Sequence, residues 1–152
     1  GPAFVVGDSI AKGSVDALRA ALGTDTAVDA AVGRQFAAGV PVVLGWTADH
    51  PGPVVVVLGA NGTVQARDVQ AMIDAAGHRR LVLVGVSVPR RWKNGNNAVL
   101  RAAAQDHGPD VVFLDWAAIV AAHPGALGAD RVHPTPAGRD LLGSAIAGAL
   151  GR

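Results

Sequence analysis

Four valines in a row, Val54-Val55-Val56-Val57, stand between Pro53 and Gly59. A short run that is β-branched and apolar at every position lacks the spacing of an amphipathic helix and the alternation of a half-wet strand. It reads as a strand buried on both faces. Similar apolar runs occupy residues 3–6, 26–31, 81–88 and 111–114. Between them lie helix-like segments at 10–22 (ended by Gly23), 34–50, 64–76 and 94–107 (ended by Gly108-Pro109). Pro41 is expected to kink or restart the second of these helices. The final helix is announced by Pro134-Thr135-Pro136, with Thr135 as N-cap and Pro136 at the first helical position. Leu141, Leu142, Ala145, Ile146, Ala149 and Leu150 then share one stripe. Five buried strands alternating with helices predict an α/β fold, a three-layer α/β/α sandwich with a five-stranded parallel sheet of flavodoxin-like character.

With 152 residues, no repeats and no linker, the chain reads as one domain over 1–152. It opens directly on Gly1-Pro2 and a strand, so residues 1–2 read as a scar and the natural protein is expected to be longer. A net charge of +1 and the absence of any basic run argue against a nucleic-acid partner. Without cysteine there is no disulfide, no thiol nucleophile and no Cys-ligated metal. No apolar run approaches the roughly 20 residues that cross a bilayer.

Parallel sheets of this kind bind ligands beyond the C-terminal ends of their strands, which is where chemistry is to be sought. The first strand ends in Gly7-Asp8-Ser9, the second runs into Gly33-Arg34-Gln35, and the third ends in Gly59-Ala60-Asn61-Gly62. Asp130-Arg131-Val132-His133 lies near the C-terminus. Ser9, between strand and helix, is either a nucleophile at the sheet edge or simply a helix cap. His133 lies three positions after Asp130. In a helical or turn-like loop that spacing puts both on one side, so Asp130 can fix the tautomer of His133 and leave its other nitrogen for Ser9. The alternative is an ordinary surface Asp-His pair. Asn61 and the amides of Gly33 and Ser9 are candidate donors to an oxyanion, although Asn-Gly is also a turn signal and Gly33 also suits a positive φ. His50, His78, His107 and His123 fall near helix ends or loops and read as solvated or capping residues, since none has a partner at useful spacing. Asp8 is expected to support the turn around Ser9, Asp115 to cap a helix and Trp116 to pack. Arg34 and Gln35 either line a rim or begin a helix.

These blocks resemble the SGNH, or GDSL-like, hydrolase superfamily, named for its Ser, Gly, Asn and His. The resemblance implies a Ser9 nucleophile, a His133 base oriented by Asp130, an oxyanion hole of Ser9, Gly33 and Asn61, and no metal or organic cofactor. Many members carry Gly-x-Asn-Asp in the third block, where this chain has Gly62. The Gly-x-Asn-Gly form is similar to a narrower group, the extracytoplasmic SGNH domains of membrane-bound peptidoglycan and polysaccharide O-acetyltransferases. Residues 28–35, the Val88-Pro89-Arg90-Arg91-Trp92 loop with Asn97, Leu114-Asp115-Trp116 and residues 130–138 fit that group as well. The implied function is serine-dependent transfer of an acetyl or other short acyl group onto a cell-envelope glycan. The donor would come from a membrane-embedded acyltransferase domain, and the isolated domain would be a monomer on the extracytoplasmic face. Arg34, Arg90, Arg91 and Trp92 are candidates for the substrate rim, the last three as a sugar-binding lip or merely as a basic loop pinned by one apolar side chain. The alternatives are a carbohydrate or lipid esterase using water, and an inactive glycan-binding module. A typical α/β-hydrolase is excluded, because Gly7-Asp8-Ser9-Ile10-Ala11 is not a Gly-x-Ser-x-Gly elbow.

Overall fold

A computed structural model describes all residues 1–152. The five strands are β1 (Phe4–Gly7), β2 (Ala27–Ala30), β3 (Val54–Val57), β4 (Leu81–Val84) and β5 (Val111–Leu114). They form one parallel sheet in the order β2-β1-β3-β4-β5. Seven helices accompany them: α1 (Ser9–Lys12), α2 (Val15–Leu22), α3 (Phe36–Thr47), α4 (Ala66–Ala76), α5 (Lys93–His107), α6 (Trp116–Ala122) and α7 (Pro136–Ala149). None is long and apolar enough to cross a membrane.

The alternation of side chains along the strands builds two separate cores. Phe4, Val6, Val54, Val56, Leu81 and Leu83 face α3, α4 and α5, where Val43, Met72 and Leu100 meet them. Val5, Val55, Val57, Val82 and Val84 face the other layer, with Leu18, Trp116, Leu142 and Ile146. The register sets Val5 beside both Val28 and Val55, so the Val54–Val57 run is the centre of the molecule. The sheet pattern therefore follows from the apolar runs, with both faces covered as expected.

Three local expectations are corrected. The helix expected over 10–22 is two helices. Gly13 ends α1, and Ser14 turns its hydroxyl back onto the Ile10 carbonyl at 2.8 Å before α2 begins. A serine that satisfies a carbonyl one turn back competes with the helical bond there. The strand expected over 81–88 stops at Val84. Gly85 still donates to the Leu114 carbonyl at 2.8 Å, but the Val86 N–H and carbonyl are taken by the Asn97 side chain at 2.7 and 2.9 Å, so from Val86 on the segment is held by that side chain and not by a strand. The helix expected over 34–50 runs from Phe36 to Thr47 and passes through Pro41 without restarting. Pro41 and Ala37, whose carbonyl loses a partner to the proline, both lie on the exposed side, where water can serve.

Candidate active site

Ser9, Asn61 and the turn of residues 130–133 meet at the C-terminal edge of the sheet. Asp8 leaves β1 and caps α1, accepting from the Ile10 N–H at 2.9 Å. The capping role open to Ser9 in the sequence thus belongs to Asp8, and Ser9 is the first residue of α1. Gly7 is needed for space, since a side chain there would overlap Ala11 and crowd the Val57 carbonyl.

The Ser9 hydroxyl lies 2.8 Å from His133 Nε2, and His133 Nδ1 lies 2.8 Å from Asp130 Oδ2. A carboxylate only accepts, so Nδ1 carries the hydrogen, and in the neutral imidazole Nε2 presents its lone pair to the serine hydroxyl. The other Asp130 oxygen accepts from the Val132 and His133 amides at 2.9 and 3.0 Å. The His133 hydrogen bond and these two amides hold the Asp130 pKa far below the usual carboxylate range. Asp130 is therefore an anion at neutral pH. The turn that aims it places Arg131 at φ +59°, a left-handed conformation unusual for a residue with a side chain. His133 and Asp130 are about half exposed, so the chain of three opens directly to solvent.

Asn61 sits beside this chain. Its Nδ2 lies 3.3 Å from Asp8 Oδ2, which leaves one amide hydrogen free. Asp8 is 1% exposed. Burial pushes its pKa up, against the opposing pull of the Ile10 and Ala60 amides and of His133. Gly33 adopts φ +74° in the turn after β2, and its amide makes no backbone hydrogen bond. The Ser9 amide, in the first turn of α1, likewise has no backbone acceptor. Three N–H donors are thus uncommitted.

The rim residues divide. Arg34 is turned into the framework: its guanidinium donates to the Gly7 carbonyl at 3.3 Å and to the Asp29 carbonyl and carboxylate at 2.9 Å each. It joins the ends of β1 and β2 instead of reaching for substrate. The Trp92 indole N–H donates to the Ala60 carbonyl at 3.2 Å, and Arg91 lies 6.0 Å over its ring. Arg90 bonds only its neighbour's carbonyl, that of Pro89. Beside the Asp130–His133 turn lies a cleft of about 320 Å³, with Ser87, Lys93, His123 and Arg131 in its wall. Asp115 caps α6 through the Ala118 N–H, and Trp116 is buried, both as expected. His50 caps the end of α3, in keeping with its reading as a capping residue: its Nδ1 lies 2.9 Å from the Trp46 carbonyl and 2.8 Å from Asp49, and its ring stacks on Trp46, which also stacks on Phe4.

Asn96 is a tie of the Asn61 loop that the sequence motifs did not single out. It is buried at 1% exposure on α5, and its amide donates to the Gly59 and Gly62 carbonyls at 2.9 and 2.8 Å while its oxygen accepts from the Val64 N–H at 2.8 Å. Its signal was its spacing: Asn96, Leu100 and Ala104 share one buried stripe, where a polar residue needs partners. Asn96→Ala is expected to strand three backbone groups and cost about 3 kcal/mol of stability, read by urea denaturation. A loss below about 1 kcal/mol would show that the loop does not depend on it.

This architecture is the SGNH hydrolase fold, a five-stranded parallel sheet with its site at the strand ends. The structural neighbours are SGNH/GDSL hydrolases. The C-terminal catalytic domain of Streptococcus pneumoniae peptidoglycan O-acetyltransferase A (OatA), solved with a methylsulfonyl adduct, is similar at a TM-score of 0.85 and 24% identity, over 99% of this chain and 92% of that one. A protein described as an SGNH hydrolase, from Slackia heliotrinireducens, gives 0.82 and 23% over 99% and 98%. A carbohydrate esterase family 3 protein from Talaromyces cellulolyticus gives 0.71 and 17% over 99% and 96%. No family model matches the sequence, and no curated protein matches it.

Proposed function

We propose that this domain is a serine-dependent O-acyltransferase that carries an acetyl or other short acyl group through an acyl-Ser9 intermediate onto a glycan hydroxyl of the cell envelope. The observation that carries the reading is the 2.8 Å contact between Ser9 Oγ and His133 Nε2, with Asp130 behind it. Ser9 Oγ attacks the acyl carbonyl as its proton passes to His133. The Asn61 amide and the Ser9 and Gly33 N–H groups receive the oxyanion. Collapse breaks the acyl–oxygen bond, and His133 returns the proton to the departing alkoxide. The acceptor hydroxyl then gives its proton to His133 and attacks acyl-Ser9, and collapse of that second intermediate restores the serine hydroxyl.

The likeness to a peptidoglycan O-acetyltransferase catalytic domain and the Gly-x-Asn-Gly block favour a glycan acceptor. On this reading the domain works outside the cytoplasm and takes its acyl group from a membrane-embedded acyltransferase domain. Water is the rival acceptor, favoured by the solvent exposure of His133 and Asp130 and by the carbohydrate esterase neighbour.

A two-substrate assay separates the two. An activated acetyl ester is turned over with and without peptidoglycan-derived oligosaccharides, and the products are identified by mass. Acetylated oligosaccharide, at a yield that rises with acceptor concentration, is the expected result. Acetate alone at every acceptor concentration would make the domain an esterase.

A further inference from the structure

The loop that carries Asn61 offers four consecutive carbonyls, and each accepts from a side chain of another segment. Asn96 takes Gly59 and Gly62, Trp92 takes Ala60, and Gln35 Nε2 donates to the Asn61 carbonyl at 2.7 Å. Asn96 is buried and Trp92 partly so, as structural ties usually are, but Gln35 is exposed. It stands at the N-cap position of α3 without making a side-chain cap bond, and reaches across to the Asn61 loop instead. The space it uses is available because residue 62 has no side chain. A Cβ on Gly62 would lie 2.7 Å from Gln35 Oε1.

Asn61 is therefore gripped at both ends, its side-chain amide by Asp8 and its peptide carbonyl by Gln35. Fixing that peptide fixes the direction in which the Asn61 side chain leaves the backbone. A donor to a developing oxyanion is effective only when held at the position the oxyanion will occupy, and an ångström of drift loses most of its value.

We propose that Gln35 is a positioning residue for the oxyanion donor Asn61, seated in space that the bare Gly62 leaves open. The proposal rests on the reading of Asn61 as a donor in acyl transfer. Gly62 stands at φ +157°, where a side chain is strained in any case, and a Cβ there would in addition crowd Gln35 in its observed place.

The test is a double-mutant cycle on acetyl-ester turnover, with Gln35→Ala and Asn61→Ala made singly and together. Gln35→Ala is expected to lower kcat about three- to tenfold with KM unchanged, the range for losing one hydrogen bond. In the Asn61→Ala background the same change should cost less than about twofold, since its effect passes through Asn61. Gln35→Glu, which keeps the shape and loses the donor, should fall at least as far as Gln35→Ala. Gly62→Ala should cost more with Gln35 present than in Gln35→Ala, because any backbone strain is common to both and only the eviction differs. Unchanged melting temperatures in the Gln35 variants exclude unfolding as the cause. Equal losses in both Asn61 backgrounds, or a change in KM alone, would overturn the positioning role. An Asn61→Ala enzyme with full kcat would instead sink the donor role beneath it.

Discussion

Ser9→Ala is expected to lower turnover of an activated acetyl ester by at least about ten-thousandfold and to leave the fold in place. The hydroxyl is the only group positioned to form the acyl intermediate, and its removal leaves His133 without a nucleophile to deprotonate. In serine enzymes, losing the nucleophile alone costs nearly as much as losing the whole triad, because the members act as one unit. The residual rate comes from polarisation of the carbonyl by the remaining donors, with water attacking directly. Stability should hardly move, since Ser9 Oγ makes one side-chain bond, to a half-exposed histidine, and supports no buried partner. The cap of α1 stays intact because Asp8 makes it. Two measurements check this. Steady-state kinetics should show the loss in kcat, and a sulfonyl fluoride should add its mass to Ser9 of the wild type and to nothing in the variant. Retained turnover, or an adduct elsewhere that accounts for inactivation, would remove Ser9 from the mechanism.

Ser9, Asn61 and His133 were legible in the sequence, because each sits at a place the chain itself announces. Ser9 follows a buried strand, Asn61 ends the valine strand, and His133 stands three residues from an aspartate in front of a proline-started helix. Such local signals survive folding intact. What the sequence could not show is which side chains from distant segments would face those loops. Gln35 and Asn61 are brought together only when β1 lies between β2 and β3. Arg34 looked like a rim residue for the same reason: its acceptors, Gly7 and Asp29, become neighbours only through the parallel pairing of β1 and β2. The break at Gly13-Ser14 was missed on different grounds. Residues 10, 18 and 22 keep a helical spacing through it, so the apolar pattern alone reads as one helix.

Asp130→Asn tests the orientation of the base, and its expected cost is as large as that of a triad member despite a change of one atom. Asp130 has two distinct jobs. One oxygen accepts the Val132 and His133 amides, and the other accepts from His133 Nδ1. An asparagine can keep only one of them. Two backbone N–H donors demand the amide oxygen, which leaves the NH2 group facing the imidazole. Nδ1 must then become the acceptor, and the hydrogen moves to Nε2, where it points at Ser9. The lone pair that would take the serine proton is lost, although every heavy atom remains near its place. The inverse arrangement, with the oxygen toward His133, puts an NH2 group against two amide donors and should distort the turn that already holds Arg131 at φ +59°. By either route kcat should fall about ten-thousandfold, the scale known for tautomer inversion in serine triads. Because the carboxylate of Asp130 titrates far below the usual range, lowering the pH of the wild type should not reproduce this loss through Asp130 itself. Any loss of wild-type activity on acidification should therefore come from a group other than Asp130, and it should reverse fully on return to neutral pH. The variant, in contrast, should stay inactive across the whole neutral range, because its defect is the position of a proton and not its presence. An Asp130→Asn enzyme within tenfold of wild type would show that His133 finds its tautomer without the aspartate.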